Sequence, residues 1–148
     1  MPITPTTPTT FWEAKPGRMF VGRLATGSDL VEEIERQCAE RGVLAAAVSA
    51  IGAVRRARFA YYEQRDHRYL ELETDTHHEI TGFVGNVSLR DDRPFLHAHA
   101  TFADAAGATV GGHLLRGIDV FAAEVVITEL ADVSLVRSHD EETGLALW

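Results

Sequence analysis

Three histidines in one short stretch of the chain are the residues best suited to chemistry. His97 and His99 alternate with small apolar residues in a run over 95–102, and His113 follows a Gly-Gly pair. Alternate residues of a β-strand share a face, with Cα atoms about 7 Å apart, so these two imidazoles can converge on one ion. A short loop over 104–107 reverses the chain, and the flexible Gly-Gly pair lets His113 return over the same face. Three neutral imidazoles would leave a position for water or substrate, as in catalytic zinc sites.

The same pattern also fits a solvent-exposed strand face that binds no ligand. A strand with one solvent-facing side can carry two histidines without any ligand, so His-x-His alone is a weak indication of metal binding. The third histidine after the Gly-Gly turn strengthens it. An all-imidazole set favours Zn²⁺, with Ni²⁺ and Cu²⁺ as alternatives. A metal-activated water would need a proton acceptor, and the carboxylates expected nearby are Glu79 and Asp104.

The composition limits the class of protein. The chain has 148 residues, 45% of them hydrophobic and 24% charged, which is ordinary for a single globular domain. A net charge of −8 argues against a broad phosphate-binding surface, so direct DNA binding is not expected. Cys38 is the single cysteine, which excludes an internal disulfide and favours a cytoplasmic location. We expect neither a signal peptide nor a membrane span, because no apolar run approaches about 20 residues.

The periodicity of the chain predicts an α+β fold. Residues 1–10, nearly all Pro and Thr, predict a poorly ordered tail before a single domain over 11–148. The main helix spans 29–41, with Asp29 as N-cap, Glu32 completing a capping box, and Gly42 at its C-terminal end. Strands are predicted over 18–24, 43–51, 56–62, 69–73, 77–89, 95–102, 119–130 and 133–136, with a second short helix around 112–116. Hairpin-length spacings make this a mostly antiparallel sheet of about seven strands, and strands apolar on both faces suggest an oligomer.

A local basic cluster has two interpretations. Its members are Arg55, Arg56, Arg58, Arg65 and Arg68. They form either an anion or nucleic-acid patch, or a solvated strand face balanced by nearby acids. The second interpretation is favoured, because acidic residues are interspersed through the same stretch at Glu63, Asp66, Glu71 and Glu73.

Several short motifs, taken in order, resemble the plants-and-prokaryotes conserved (PPC) domain. They are Gly27–Leu30, Ala50–Val54, Glu79–Ile80 with Gly85–Asn86, Pro94–His99, Ala103–Asp104 with Gly107, Gly111–Leu114 and Glu124–Ile127. The resemblance covers roughly residues 18–137, and it implies a PPC-domain-like fold that assembles as a homotrimer. Members with three histidines look like metal binders, which maps onto His97, His99 and His113. In plants, similar domains follow AT-hooks in nuclear DNA-binding proteins, but this sequence contains no AT-hook.

Two functional hypotheses follow from the sequence. The first is a trimeric metal-binding PPC-domain protein whose three-histidine site holds a divalent ion, with a small molecule as a further ligand. The second is a non-catalytic, DNA-associated or regulatory assembly module in which the histidines are structural and the basic cluster makes the contact. The sequence favours the first hypothesis and leaves open whether the protein is an enzyme.

Overall fold

A computed structural model describes residues 4–148, so the first three residues of the predicted tail lie outside the described range. Residues 4–10 are exposed and belong to no helix or strand. The elements that follow are β1 (Lys15–Leu24), α1 (Leu30–Arg41), β2 (Ala46–Glu63), β3 (Arg68–Thr74), β4 (His78–Arg90), β5 (Arg93–Ala103), β6 (Thr109–Leu114), β7 (Asp119–Ala131), β8 (Ser138–His139) and β9 (Ala146–Leu147). The predicted α+β class, with one main helix and a mostly antiparallel sheet, is confirmed.

The main sheet is organised by the long strand β2. Its strand order is β1-β7-β2-β4-β5-β6, with β3 paired to β2, and the paired strands run antiparallel. The first part of β2 pairs with β4 and β7, and its second part pairs with β3 and β6. Because Ala60 of β2 pairs with His113 of β6, strands β2, β4, β5 and β6 close into a barrel-like ring. That closure sets where His113 lies.

The helix begins and ends as its sequence predicts. The Asp29 carboxylate accepts the backbone N–H groups of Val31 and Glu32, each at 2.9 Å, and Gly42 ends the helix in the left-handed conformation. The second oxygen of Asp29 accepts the N–H of Ile118 at 2.9 Å, which ties the helix start to the loop before β7. The expected capping-box role of Glu32 is wrong, since its carboxylate accepts from Arg116 instead.

The helix covers the inner face of the sheet. Its stripe of Leu30, Ile34 and Cys38 is fully buried, and burial of each of the two aliphatic side chains, Leu30 and Ile34, contributes about 1.5–3 kcal/mol. The alternate residues of β5 on the core side of the sheet are Leu96, Ala98, Ala100 and Phe102, all buried. Glu35 of α1 also accepts the backbone N–H of Leu96 at 3.0 Å. The inner side of β5 is therefore fixed against the helix, and its histidines lie on the outer side.

Gly52 explains why two predicted strands are one. Gly52 is predicted to end the strand over 43–51, ahead of a separate strand over 56–62, but β2 continues through it. Gly52 adopts φ +143°, and a Cβ there would lie 2.1 Å from the carbonyl oxygen of Ala122. The residue marks a close approach between β2 and β7 rather than a turn.

Two further expectations are wrong. The short helix predicted around 112–116 is part of strand β6 and the turn after it, because its Gly-Gly pair fits between two neighbouring backbones. The strand predicted over 133–136 is reduced to one bridge between Leu89 and Val136. The chain after β7 forms the small β8–β9 pair instead. Within residues 4–148, no helix is long and apolar enough to cross a membrane.

Candidate metal centre

The three histidines meet on the outer face of the sheet. His97 and His99 project from β5, and His113 of β6 is the cross-strand partner of His99. One ring nitrogen from each residue lies within 4.8 Å of the other two. The imidazole centroids are 5.1, 5.1 and 5.4 Å apart. The three rings thus surround a common point.

The spacing of the ring nitrogens fits a metal ion. The Nε2 atoms of His97 and His99 are 3.2 Å apart. Two nitrogens bound tetrahedrally at about 2.0–2.1 Å from Zn²⁺ would be separated by about 3.3 Å. When both rings are neutral, one Nε2 can donate its N–H to the other, or both Nε2 atoms can point a lone pair into the space between them. In the second case a metal ion would accept both lone pairs.

Two glycines admit β6 to this position. A Cβ on Gly111 would lie 2.1 Å from the carbonyl oxygen of Ala100, and one on Gly112 would lie 2.6 Å from that of Ala60. Contacts this short do not occur, so a side chain at either position would push β6 away from β5 or β2. The Gly-Gly pair therefore sets the distance from His113 to the two histidines of β5.

Burial keeps two of the histidines neutral. It lowers the pKa of His97 to about 4, and the positive charge of Arg137 acts in the same direction. Burial likewise lowers the pKa of His113 to about 4, with smaller contributions from His97 and His99. Near pH 7 both rings carry a free lone pair, which is the form that binds a metal.

Tyr69 supports the third histidine. Its ring stacks on the imidazole of His113, with centroids 4.8 Å apart and planes inclined by 29°. Tyr69 lies on β3 and is the cross-strand partner of Tyr62 on β2. Burial raises the pKa of the Tyr69 phenol, so the hydroxyl stays protonated at neutral pH. Sequence analysis missed this residue, whose only signal was its place in the β2–β3 hairpin.

The histidines open onto a cavity of about 520 Å³. One wall is the outer face of the sheet, and the other is the chain after β7, which folds back over β4 and β5. The residues that line it are Ala60, Tyr61, Tyr62, Gln64, Tyr69, Arg90, Phe95, His97, His99, Gly112, His113, Arg137, Gly144, Leu145, Ala146 and Leu147. Sequence analysis also missed Arg137, which reaches the site only through the folding of this last segment.

The expected carboxylates lie elsewhere. Glu79 is five residues along β4 from Val84, the partner of His99, and Asp104 follows His99 by five residues. Each is therefore about 17 Å along its strand from the histidines. The Asp104 carboxylate accepts the N–H groups of Ala106 and Ala108 in its own turn, each at 2.9 Å. Both acids line a separate cavity of about 350 Å³, and the structure does not bring them to the histidines.

The basic cluster is largely neutralised by neighbouring acids. Arg55 pairs with Asp119 at 2.8 Å, and Arg58 pairs with Glu71 at 2.7 Å. Further along, Arg68 lies 3.5 Å from Asp66. These pairs favour the interpretation of the cluster as a balanced, solvated strand face.

Comparison with known proteins places the chain in a family. The sequence profile of the Plants and Prokaryotes Conserved domain, abbreviated PCC or PPC, matches residues 12–131. The chain belongs to this family. Arg137 and the rest of the segment that closes the cavity lie beyond the matched range.

Two solved structures are similar to this chain over most of its length. A metal-containing protein from Archaeoglobus fulgidus is 41% identical, with a TM-score of 0.91 over 95% of this chain and 99% of its own. A plant- and prokaryote-conserved protein from Pyrococcus horikoshii is 30% identical, with a TM-score of 0.89 over 95% of this chain and 96% of its own.

A curated relative is much longer. The bifunctional protein GlmU of a Synechococcus strain is 35% identical over 129 residues, which is 86% of this chain. The chain spans about a fifth of that relative's length, at 19%. The similarity therefore concerns one segment of a longer protein.

Proposed function

We propose that this PPC-domain protein binds one divalent metal ion per chain through His97, His99 and His113. The observation that carries the proposal is the meeting of three imidazoles, two of them with Nε2 atoms 3.2 Å apart. The Archaeoglobus fulgidus protein, 41% identical, is described as metal-containing, which supports the same conclusion.

Zn²⁺ is the proposed ion. Neutral imidazole nitrogens suit tetrahedral Zn²⁺, which can take three protein ligands and keep a fourth position open. Ni²⁺ and Cu²⁺ are the alternatives for the same donor set. When bound, the ion would act as a Lewis acid toward a water or a substrate oxygen. His97 and His113 hold it with neutral rings, and the stacked ring of Tyr69 fixes the plane of His113.

A small molecule is the proposed further ligand of this site. The three histidines line a cavity large enough for one, so the coordination position they leave free faces that space. Glu79 and Asp104 are about 17 Å away along their strands, so neither is proposed as a direct proton acceptor.

We further propose that three chains associate through the outer face of the sheet. Met19 and Val21 of β1, Ile51 of β2 and Val84 of β4 are 61–78% exposed on that face. Apolar surface of this kind marks an interaction site, and closed rings of identical chains are a common way to bury it. Val84 is also the cross-strand partner of His99, so the proposed interface adjoins the metal site.

Assembly is tested by light scattering after size-exclusion chromatography. The wild-type chain is expected to elute as three subunits, and the Val21→Glu variant as one. The matched control is Val110→Glu, which adds one charge at an exposed valine of β6. A wild-type monomer at all concentrations would refute the trimer and leave the metal proposal standing.

Metal binding is tested by titration with Co²⁺ followed by visible absorption. One equivalent per chain is expected to produce the intense bands of four-coordinate Co²⁺, and Zn²⁺ is expected to displace it. His139→Ala serves as the matched control, because His139 is an exposed histidine of β8 outside the cavity. Equal spectra for the wild type and a His113→Ala variant would overturn the proposal.

The ion pairs of the basic cluster give no reason to extend the proposal to DNA. A cytoplasmic location stays a prediction that rests on the single cysteine.

A further inference from the structure

Arg137 is a buried cation with unusual surroundings. Only 9% of the residue is exposed. Its guanidinium donates to three neutral oxygens, those of the Ser88 hydroxyl, the Asn86 side-chain amide and the Ala146 carbonyl, at 2.8–2.9 Å. A guanidinium has five N–H groups, so two remain beyond these three contacts.

No carboxylate balances this charge within the described range. Among residues 4–148, Arg137 forms no salt bridge, and no Asp or Glu lines the cavity that it faces. A second cation, Arg90, lines the same cavity and adds to the effect of burial in lowering the pKa of Arg137. A buried charge is normally paired, so an arginine left without an anion in an acidic protein indicates that the anion is a ligand.

The guanidinium lies beside the histidine cluster. Asn86, which accepts one of its hydrogen bonds, is the direct cross-strand partner of His97. Side chains at such paired positions have Cβ atoms about 4.5–5.5 Å apart on one face of the sheet. One ligand can therefore contact both Arg137 and an ion held by the three imidazoles.

The rest of the cavity suits a carbon skeleton. Phe95, Leu145 and Leu147 contribute apolar walls, and the volume of about 520 Å³ greatly exceeds that of an inorganic ion. Arginine presents two parallel N–H groups that match the two oxygens of a carboxylate.

We propose that this cavity binds a small organic carboxylate, which bridges the metal ion and the Arg137 guanidinium. This inference rests on the proposed metal site and names the ligand class of that site. The carboxylate replaces the missing counter-ion of Arg137, and Arg90 contributes a second positive charge at the same wall.

The first test compares ligands on the Zn²⁺-loaded wild-type protein by isothermal titration calorimetry. Lactate, its neutral amide lactamide and inorganic phosphate are the probes. Lactate is expected to bind at one site per chain, at least about tenfold more tightly than lactamide, because only lactate pairs with the guanidinium. Equal binding of lactate and lactamide would overturn the proposal. Phosphate binding more tightly than lactate would also overturn it, in favour of an inorganic anion site.

The second test uses Arg137→Gln, with Arg93→Gln as the matched control. Arg93 is an exposed arginine of β5 that does not line the cavity, so its variant removes the same charge elsewhere. The lactate dissociation constant is expected to rise about ten- to hundredfold in the first variant and to stay unchanged in the second. Unchanged lactate binding in a folded Arg137→Gln variant would refute the role of this residue. If that variant does not fold, Arg137→Lys is used instead, because it keeps the positive charge but lacks the paired N–H groups, and weaker lactate binding is expected. The comparison of lactate with lactamide on wild-type protein tests the carboxylate assignment in either case.

Loss of the metal site and loss of carboxylate binding give different experimental results. Protein that takes up no Zn²⁺ would refute the metal site itself. Protein that takes up one equivalent of Zn²⁺ but does not distinguish lactate from lactamide would refute only the carboxylate assignment.

Discussion

His99 and His113 are direct cross-strand partners in the antiparallel pair of β5 and β6. Direct partners project to the same side of a sheet, so this register alone places both imidazoles on the outer face. A slip of one residue in β6 would turn His113 toward the core. The candidate metal centre is therefore a consequence of strand register, and residues that hold the register should control metal binding.

Gly111→Ala should abolish high-affinity metal binding. Its Cβ would lie 2.1 Å from the Ala100 carbonyl oxygen, so β6 must move away from β5 and carry His113 with it. We expect the Zn²⁺ affinity to fall by at least about tenfold and the melting temperature to drop by several degrees, since overpacking costs about 1–3 kcal/mol. Gly22→Ala is the control, because nothing lies within 4 Å of its added Cβ. Wild-type Zn²⁺ affinity in Gly111→Ala would contradict the account.

Tyr69→Ala should weaken metal binding through loss of the stacked ring. The Tyr69 ring holds the His113 imidazole at a centroid distance of 4.8 Å, and such pairs contribute about 0.5–1.5 kcal/mol. We expect the Zn²⁺ affinity to fall about two- to tenfold in Tyr69→Ala and to be preserved in Tyr69→Phe. Calorimetric titration of both variants gives the comparison. An equal loss in both would assign the effect to the hydroxyl group instead.

Cys38 should resist modification in the folded protein. Burial raises the pKa of its thiol to about 11, so only about one thiol in a thousand is ionised at pH 8, and the thiolate is the reactive form. We expect a thiol-specific disulfide reagent to label Cys38 slowly at pH 8 and completely once urea unfolds the chain. Rapid stoichiometric labelling under native conditions would mean that the stripe of α1 is not packed as described.

The ion pair of Glu129 and Arg18 should make stability depend on pH in the acid range. The Arg18 side chain donates to both Glu129 oxygens at 2.7 Å, and these hydrogen bonds lower the pKa of the carboxyl to about 2. A folded pKa below the ordinary value near 4.5 means that the contribution is present above pH 4.5 and is lost as pH falls toward 2.

Urea unfolding of wild type and Glu129→Gln between pH 2 and pH 6 measures this effect. The wild type is expected to be the more stable at pH 6, with the difference shrinking continuously toward pH 2. High salt should reduce the difference at pH 6, because the pair is near the surface. A difference independent of pH would show that the pair does not stabilise the fold through its charge.

Local sequence signals were sufficient for the helix and for the histidines of β5. The ends of α1 are readable from neighbouring residues, because the Asp29 side chain accepts the first N–H groups of the helix and Gly42 adopts the left-handed conformation at its end. His97 and His99 share a face because alternation along a strand has a period of two. This alternation is a local property of a strand, so the sequence alone predicts that the two histidines lie side by side.

Tertiary contacts decided what the sequence did not predict. Gly52 has the local character of a strand end, but it accommodates the backbone of β7 inside one long strand. Arg137 reaches the cavity because the chain after β7 folds over β4, and no local pattern encodes that return. The position of Glu79 in the sequence predicts that it lies near the histidines, but the register of β4 and β5 separates it from the site.

Elemental analysis of untagged protein, beside the His97→Ala, His99→Ala double variant, tests the central claim most directly. We expect about one Zn²⁺ per wild-type chain and none in the double variant, with circular dichroism showing that both are folded. Wild-type protein that holds no metal even after incubation with Zn²⁺, or a double variant that retains a full equivalent, would contradict it.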